Sequence, residues 1–191
     1  MIDQKIIEYI SHLPKPAIIA ISGFGGAGKS TIAKELGSII SSPVISVDSF
    51  WKNNLDDIYS LWNIVDIERL KDEVLNPFST GVFHFTYNDL SWGKNEEHQI
   101  SAGGGFLIIE GVGILRPECM DYFACSIWID CPLDEAVIRG KKRDREEYNH
   151  PQDEKWEGIW KTNDKDFFET FRPDNLATFI ITNPTNNNAE I

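Results

Sequence analysis

Three cysteines and four histidines in 191 residues leave little for metal-centred or redox chemistry. Cys119, Cys125 and Cys131 are odd in number and lack CxxC spacing, and the histidines are scattered. That excludes a zinc site and a disulfide framework as organising features, and predicts buried, reduced thiols in a cytoplasmic protein. Cations are scarce too: 18 Lys and Arg stand against 30 Asp and Glu, a formal net charge of −12. A surface of that sign repels phosphate backbones, so no nucleic-acid partner is expected. No apolar run approaches membrane-spanning length, and the first residues alternate charge with apolar groups, unlike a signal peptide. No membrane partner is expected either. What is present, 41 % hydrophobic and 25 % charged residues, suits one soluble domain with a substantial core.

One stretch carries chemistry. Gly23-Phe24-Gly25-Gly26-Ala27-Gly28-Lys29-Ser30 fits G-x-x-x-x-G-K-[ST]. The apolar run Ala17–Ile21 precedes it and an amphipathic segment from Thr31 follows, the strand–turn–helix context the motif requires. The glycines let successive amides turn inward toward phosphate oxygens, and the helix opening at Ser30 adds its positive end. Gly23, Gly25, Gly26, Ala27, Gly28, Lys29, Ser30 and Thr31 are therefore expected to bind ATP. Lys29 would reach its β- and γ-phosphates, and the Ser30 hydroxyl would hold Mg²⁺.

Residues 2–13 carry isoleucines at helical spacing and are ended by Pro14 and Pro16. A helix to about Ile40 and a strand over Val44–Val47 follow, and Asp48 stands where the carboxyl ends of parallel strands line a ligand crevice. The alternative for Asp48 is a helix cap. Asp66–Leu75 reads as a helix stopped at Asn76-Pro77, and residues 82–87 with 97–100 as a hairpin. Phe106–Gly111 is a buried strand containing Glu110, an acid suited to Mg²⁺. Residues 125–130 and 177–182 complete the strands. Between them, Arg139–Arg145 sets five cations and one acid into an acidic chain, which suggests a lid on phosphates rather than a solvated face. Trp156 and Trp160, four apart on one helix, read as core anchors rather than ligand contacts.

With these residues placed, the chain resembles the uridine kinase/phosphoribulokinase branch of P-loop kinases, and most closely the short bacterial uridine-kinase-like proteins. The phosphate loop, Val47–Lys52, Tyr87-Asn88, Ile109-Glu110-Gly111 and Arg139-x-x-x-Arg143-Asp144 run in the family order. The resemblance implies an α/β P-loop kinase fold, with a five-stranded parallel sheet, helices on both faces, a β-hairpin insertion and a basic lid. It implies a core of residues 15–48, 104–132 and 175–183, a substrate-side insertion at about 49–103 and a lid at about 139–155. Asp48 matches the acid that takes the acceptor's proton, Glu110 the acid near Mg²⁺, and Arg139 and Arg143 the lid cations. Trp51, Asp66 and Tyr87 match substrate-binding positions. Trp92 falls where uridine kinases have a base-reading histidine, Asn88 replaces an aspartate, and a second group of lid arginines is missing.

The implied activity is transfer of the γ-phosphoryl of ATP to a small-molecule hydroxyl, first of all a nucleoside's. A different acceptor, such as a vitamin precursor or a nucleoside monophosphate, would keep the phosphate residues and call on Lys52, Arg69 or Arg116 as acceptor-side cations. A nucleotide-binding switch is the reading from another class; it needs neither Asp48 nor a basic lid. An apolar hairpin face open to solvent would pair two copies as a homodimer.

Overall fold

The structure is a computed structural model and describes residues 2–52 and 58–183. It opens with α1 (Gln4–Ser11), capped by the Asp3 carboxylate, which accepts the Lys5 amide at 2.9 Å. Ile6 and Ile10, one turn apart, are the buried face. β1 (Ala17–Gly23) is buried along its whole length, and α2 (Lys29–Ile40) follows the phosphate loop. β2 (Val44–Ser46) gives way at once to a 3₁₀ turn over Val47–Phe50.

The helix expected to stop at Asn76-Pro77 does not stop there. α3 (Ile67–Leu70) passes through a π turn at Lys71–Leu75 into α4 (Asn76–Ser79). The wider turn carries the Asn76 amide back to the Lys71 carbonyl. Pro77 thereby falls in a first turn, where its missing N–H leaves nothing unpaired.

β3 (His84–Asp89) and β4 (Glu96–Ser101) form an antiparallel pair with Tyr87 opposite His98. The chain continues through β5 (Phe106–Glu110), β6 (Phe123–Asp130) and α5 (Leu133–Glu146). Then come α6 (Asp153–Glu157), α7 (Ile159–Phe171), α8 (Pro173–Leu176) and β7 (Phe179–Thr182). Trp156 and Trp160 therefore do not share one helix: Gly158 (φ −105°, ψ −105°) separates α6 from α7.

The main sheet is parallel, in the order β2-β5-β1-β6-β7. Side chains of its central strand alternate between two apolar layers. Ile19 and Ile21 pack with Ile6 and Ile10 of α1 and Leu36 of α2; Ile18 and Ala20 belong to the layer holding Leu70, Val74, Phe78 and Phe167. Burying both faces requires the strands to read as continuous apolar runs, as Ala17–Ile21 and Phe106–Ile109 do. The carboxyl ends of β1, β2 and β5 lie side by side and open on the same crevice.

Candidate active site

At the end of β1 the chain turns on glycines. Gly26 (φ +81°) and Gly28 (φ +97°) hold left-handed backbone that other residues adopt only with strain. A Cβ on Gly26 would lie 2.0 Å from the Ala136 carbonyl, so α5 packs directly on the loop. On the other flank the Asn183 side-chain amide donates to the Ala27 carbonyl at 2.7 Å. Lys29 opens α2; its Nζ donates to the Phe24 carbonyl at 2.8 Å, curling back over the loop. Burial lowers its pKa, opposed by Glu110, Asp164 and Asp48. The Ser30 hydroxyl donates to Glu110 Oε1 at 3.1 Å, joining the loop to the end of β5.

Asp48 stands on the turn that ends β2. That turn is capped by Ser46, whose hydroxyl accepts the Asp48 amide at 3.3 Å; the cap role considered for Asp48 belongs to Ser46. Burial, and then the Glu110 carboxylate, push Asp48 up to about 6, while Lys29 and Arg143 pull it down. Asp48, Lys29, Ser30, Glu110 and Arg143 all line one cavity of about 670 Å³. The α5 cation Arg143 donates to Asp144 Oδ1 at 2.8 Å and lies over the Tyr148 ring, 5.1 Å from its centroid.

Aromatic rings line another part of the cavity. Trp51 and Trp92 have centroids 5.0 Å apart, and Trp160 lies 6.2 Å from Trp92. Trp156 meets Trp160 edge-on at 5.0 Å and donates its indole N–H to Asp144 at 2.7 Å. Both are buried, as expected, yet both also line the cavity, so core and site share them.

Four expected catalytic or substrate-binding residues lie elsewhere. Asp66 caps α3, accepting the Arg69 amide at 3.1 Å. Tyr87 is packed between Phe50 and His98, with centroids at 5.3 and 5.4 Å. Arg116 is 2 % exposed and donates to the carbonyls of Gly113 (2.6 Å) and Trp62 (3.1 Å) and to Asn63 Oδ1 (2.9 Å). A guanidinium so fully engaged organises the 61–63 segment instead of meeting an acceptor. Arg139 pairs with Glu135 at 3.0 Å and reaches the Asn183 carbonyl at 3.4 Å, outside the cavity lining.

Other residues of the site went unread in the sequence. Asp89, on the same wall, accepts the Ser91 amide at 2.9 Å and lies 3.6 Å from Lys94. Burial would raise its pKa, but the Ser91 bonds and Lys94 hold it low. An acid two residues before a serine in a hairpin is a turn signal that could have marked it. Asp164, a buried acid within the Phe167/Phe171 helix, gave no signal at all. Burial lifts it to about 6, against Lys29 and the Gly25 and Trp62 N–H groups that bond it.

The residues suit the groups the fold implies. The left-handed glycines let α5 and the Asn183 side chain close on the flanks of the loop, while Gly25, Gly26, Lys29 and Ser30 face the cavity. A hydroxyl and a carboxylate, Ser30 and Glu110, are the hard-oxygen pair Mg²⁺ accepts alongside water and phosphate.

A parallel sheet in this order, with a phosphate loop leaving its central strand, is the P-loop kinase fold. A uridine kinase from Clostridium botulinum (strain Langeland / NCTC 10281 / Type F) is 27 % identical over 149 residues, 69 % of this chain and 70 % of its own. Among solved structures, a provisionally named fructose transport system kinase from Silicibacter sp. TM1040 superposes with TM-score 0.76 at 17 % identity, covering 93 % of this chain and 96 % of that one. A "possible uridine kinase" from Bacillus stearothermophilus gives TM-score 0.68 at 15 % identity, covering 93 % and 95 %. No family model matches the chain. The structural likenesses carry the fold; with the sequence relatives, they support a uridine-kinase-like, small-molecule P-loop kinase.

Proposed function

We propose that the protein transfers the γ-phosphoryl group of ATP to a hydroxyl of a small molecule, with a nucleoside as the acceptor best suited to the site. The observation that supports this is the single cavity onto which Asp48 opens together with Lys29, Ser30, Glu110 and Arg143. The bond from the γ-phosphorus to its bridging oxygen breaks, a bond to the acceptor oxygen forms, and the hydroxyl proton goes to Asp48. A carboxylate with a pKa of about 6 is a stronger base than ordinary aspartate yet stays ionised at neutral pH. The loop amides of residues 25–30 and Lys29 hold the phosphates and stabilise the charge that develops on them. Mg²⁺, held by Ser30 and Glu110, supplies further charge neutralisation when bound. Arg143 is fixed by Asp144, and the buried Trp156 and Trp160 give the cavity an apolar lining against water that would otherwise take the phosphoryl group. A nucleoside base suits the flat faces of Trp51 and Trp92. A different small acceptor is the second reading, favoured by Trp92 and Lys94 on the wall where a base-reading histidine is expected.

A coupled ADP-release screen over nucleosides, nucleotides and vitamin precursors tests both. One hydroxyl compound should raise ADP release well above the rate with water alone; no response from any of them would sink the kinase reading. With that acceptor, Asp48→Asn should lower kcat about 10³-fold while leaving ADP affinity within about threefold.

A further inference from the structure

Donor and acceptor sides meet at one buried carboxylate. Asp164 is 3 % exposed on α7. Its Oδ2 accepts the backbone N–H of Gly25 at 2.8 Å, and its Oδ1 accepts the indole N–H of Trp62 at 2.9 Å. Gly25 belongs to the phosphate loop, and Trp62 lines the same cavity from the segment before α3. The preceding residue, Asn163, accepts the Ser60 amide at 3.0 Å, so α7 holds that segment at two points. From the far side, the Arg116 guanidinium takes the Trp62 carbonyl at 3.1 Å.

The choice of side chain is informative. Burying a carboxylate is costly unless its oxygens are bonded, and an apolar residue would fill the same space at no such cost. What a carboxylate alone offers is two acceptor oxygens on one rigid group. An asparagine of the same shape has a single acceptor, and its NH₂ would confront one of the two N–H donors. Gly25 and Trp62 can be held together only by the acid.

We propose that Asp164 is a positioning residue that couples the two substrate sites, one oxygen holding the phosphate loop at Gly25 and the other holding Trp62 beside the acceptor. The proposal rests on the kinase reading above. Ordering of the loop by nucleotide is then passed through the carboxylate to the acceptor side, and by linkage the effect is reciprocal.

The test follows both ends of the bridge by nitrogen-15 NMR of the full chain during titration with ADP and Mg²⁺, the Trp62 indole signal being identified by its loss in Trp62→Phe. In the wild type, the Gly25 amide and the Trp62 indole should shift with one common midpoint. In Asp164→Asn, the Gly25 amide should still respond to ADP while the Trp62 indole no longer does. A Trp62 indole that responds equally in both proteins overturns the coupling. Should Asp164→Asn fail to fold, Trp62→Phe serves: it removes the far donor with part of the ring and leaves Asp164 in place, and the Gly25 amide signal in ligand-free protein should move. An unmoved Gly25 signal there also overturns the proposal. A wild type in which Gly25 responds and Trp62 does not removes the coupling and leaves the kinase reading standing. A wild type with no ADP response removes both. With an acceptor from the screen, nucleotide and acceptor should each tighten the other about fivefold or more in the wild type, and by a factor near one in Asp164→Asn.

Discussion

The two halves of the cavity are made of different material. The half proposed to hold the donor is largely backbone: left-handed glycines, amides at the start of α2, one lysine and one hydroxyl within eight consecutive residues. The acceptor half is side chains drawn from the turn after β2, the β3–β4 hairpin, α6 and α7, brought together only by packing. The donor half thus depends on local conformation and recurs wherever the motif recurs. The half proposed for the acceptor depends on long-range contacts, so its outer rings, Trp51 and Trp92, can be exchanged one at a time without touching the phosphate loop.

Substitutions can break that contrast, and the largest effect belongs to the donor side. Lys29→Ala should lower kcat/KM about 10³-fold, the cost of one preorganised donor to the developing charge, and weaken ADP binding as well. An unchanged ADP affinity by calorimetry would mean that Lys29 does not hold the phosphates. Next comes pH. Asp48 must be ionised to accept a proton, and its pKa is raised to about 6. Activity is therefore present above that value, and log kcat/KM should fall with a slope of about one below pH 6. A profile flat down to pH 5 would remove Asp48 as the base.

Smaller effects are expected where the halves touch. The Trp156 ring is wedged between Gly25 and Gly140, where added Cβ atoms would lie 2.8 and 2.4 Å from it. Trp156→Phe keeps most of the ring but loses the N–H to Asp144, the residue that fixes Arg143. It should lower kcat about tenfold, ~1.4 kcal/mol, in steady-state assays. No change in kcat would detach Arg143 from catalysis. The smallest effect is expected on the open wall, where Trp92 is 54 % exposed and would offer an acceptor only stacking. Trp92→Ala should raise the acceptor KM about fivefold and leave kcat and ADP affinity alone, as loss of one aromatic contact implies. A parallel fall in kcat would show that Trp92 orients the acceptor as well.

The same contrast explains what could be read from the chain. The phosphate loop, Asp48 and Glu110 were legible because each is fixed by its own neighbours: a motif, a strand end, a buried run closed by an acid. Arg116 and Tyr87 misled because residue type and order say nothing of which way a side chain turns. Arg116 turned inward onto carbonyls, and Tyr87 was packed between Phe50 and His98. Asp164 was hidden in an aromatic-rich helix, since its partners, Gly25 and Trp62, lie more than a hundred residues away.

Sequence by itself determined the order of strands and helices and the conformation of the glycine loop, because apolar periodicity and left-handed glycines act over a few residues. Tertiary structure alone decided which cations and rings reach the cavity, and joined the loop to the acceptor wall through a buried acid. The reason is physical: backbone geometry is set by neighbours in the chain, whereas the facing of a side chain is set by whatever the folded chain packs against it.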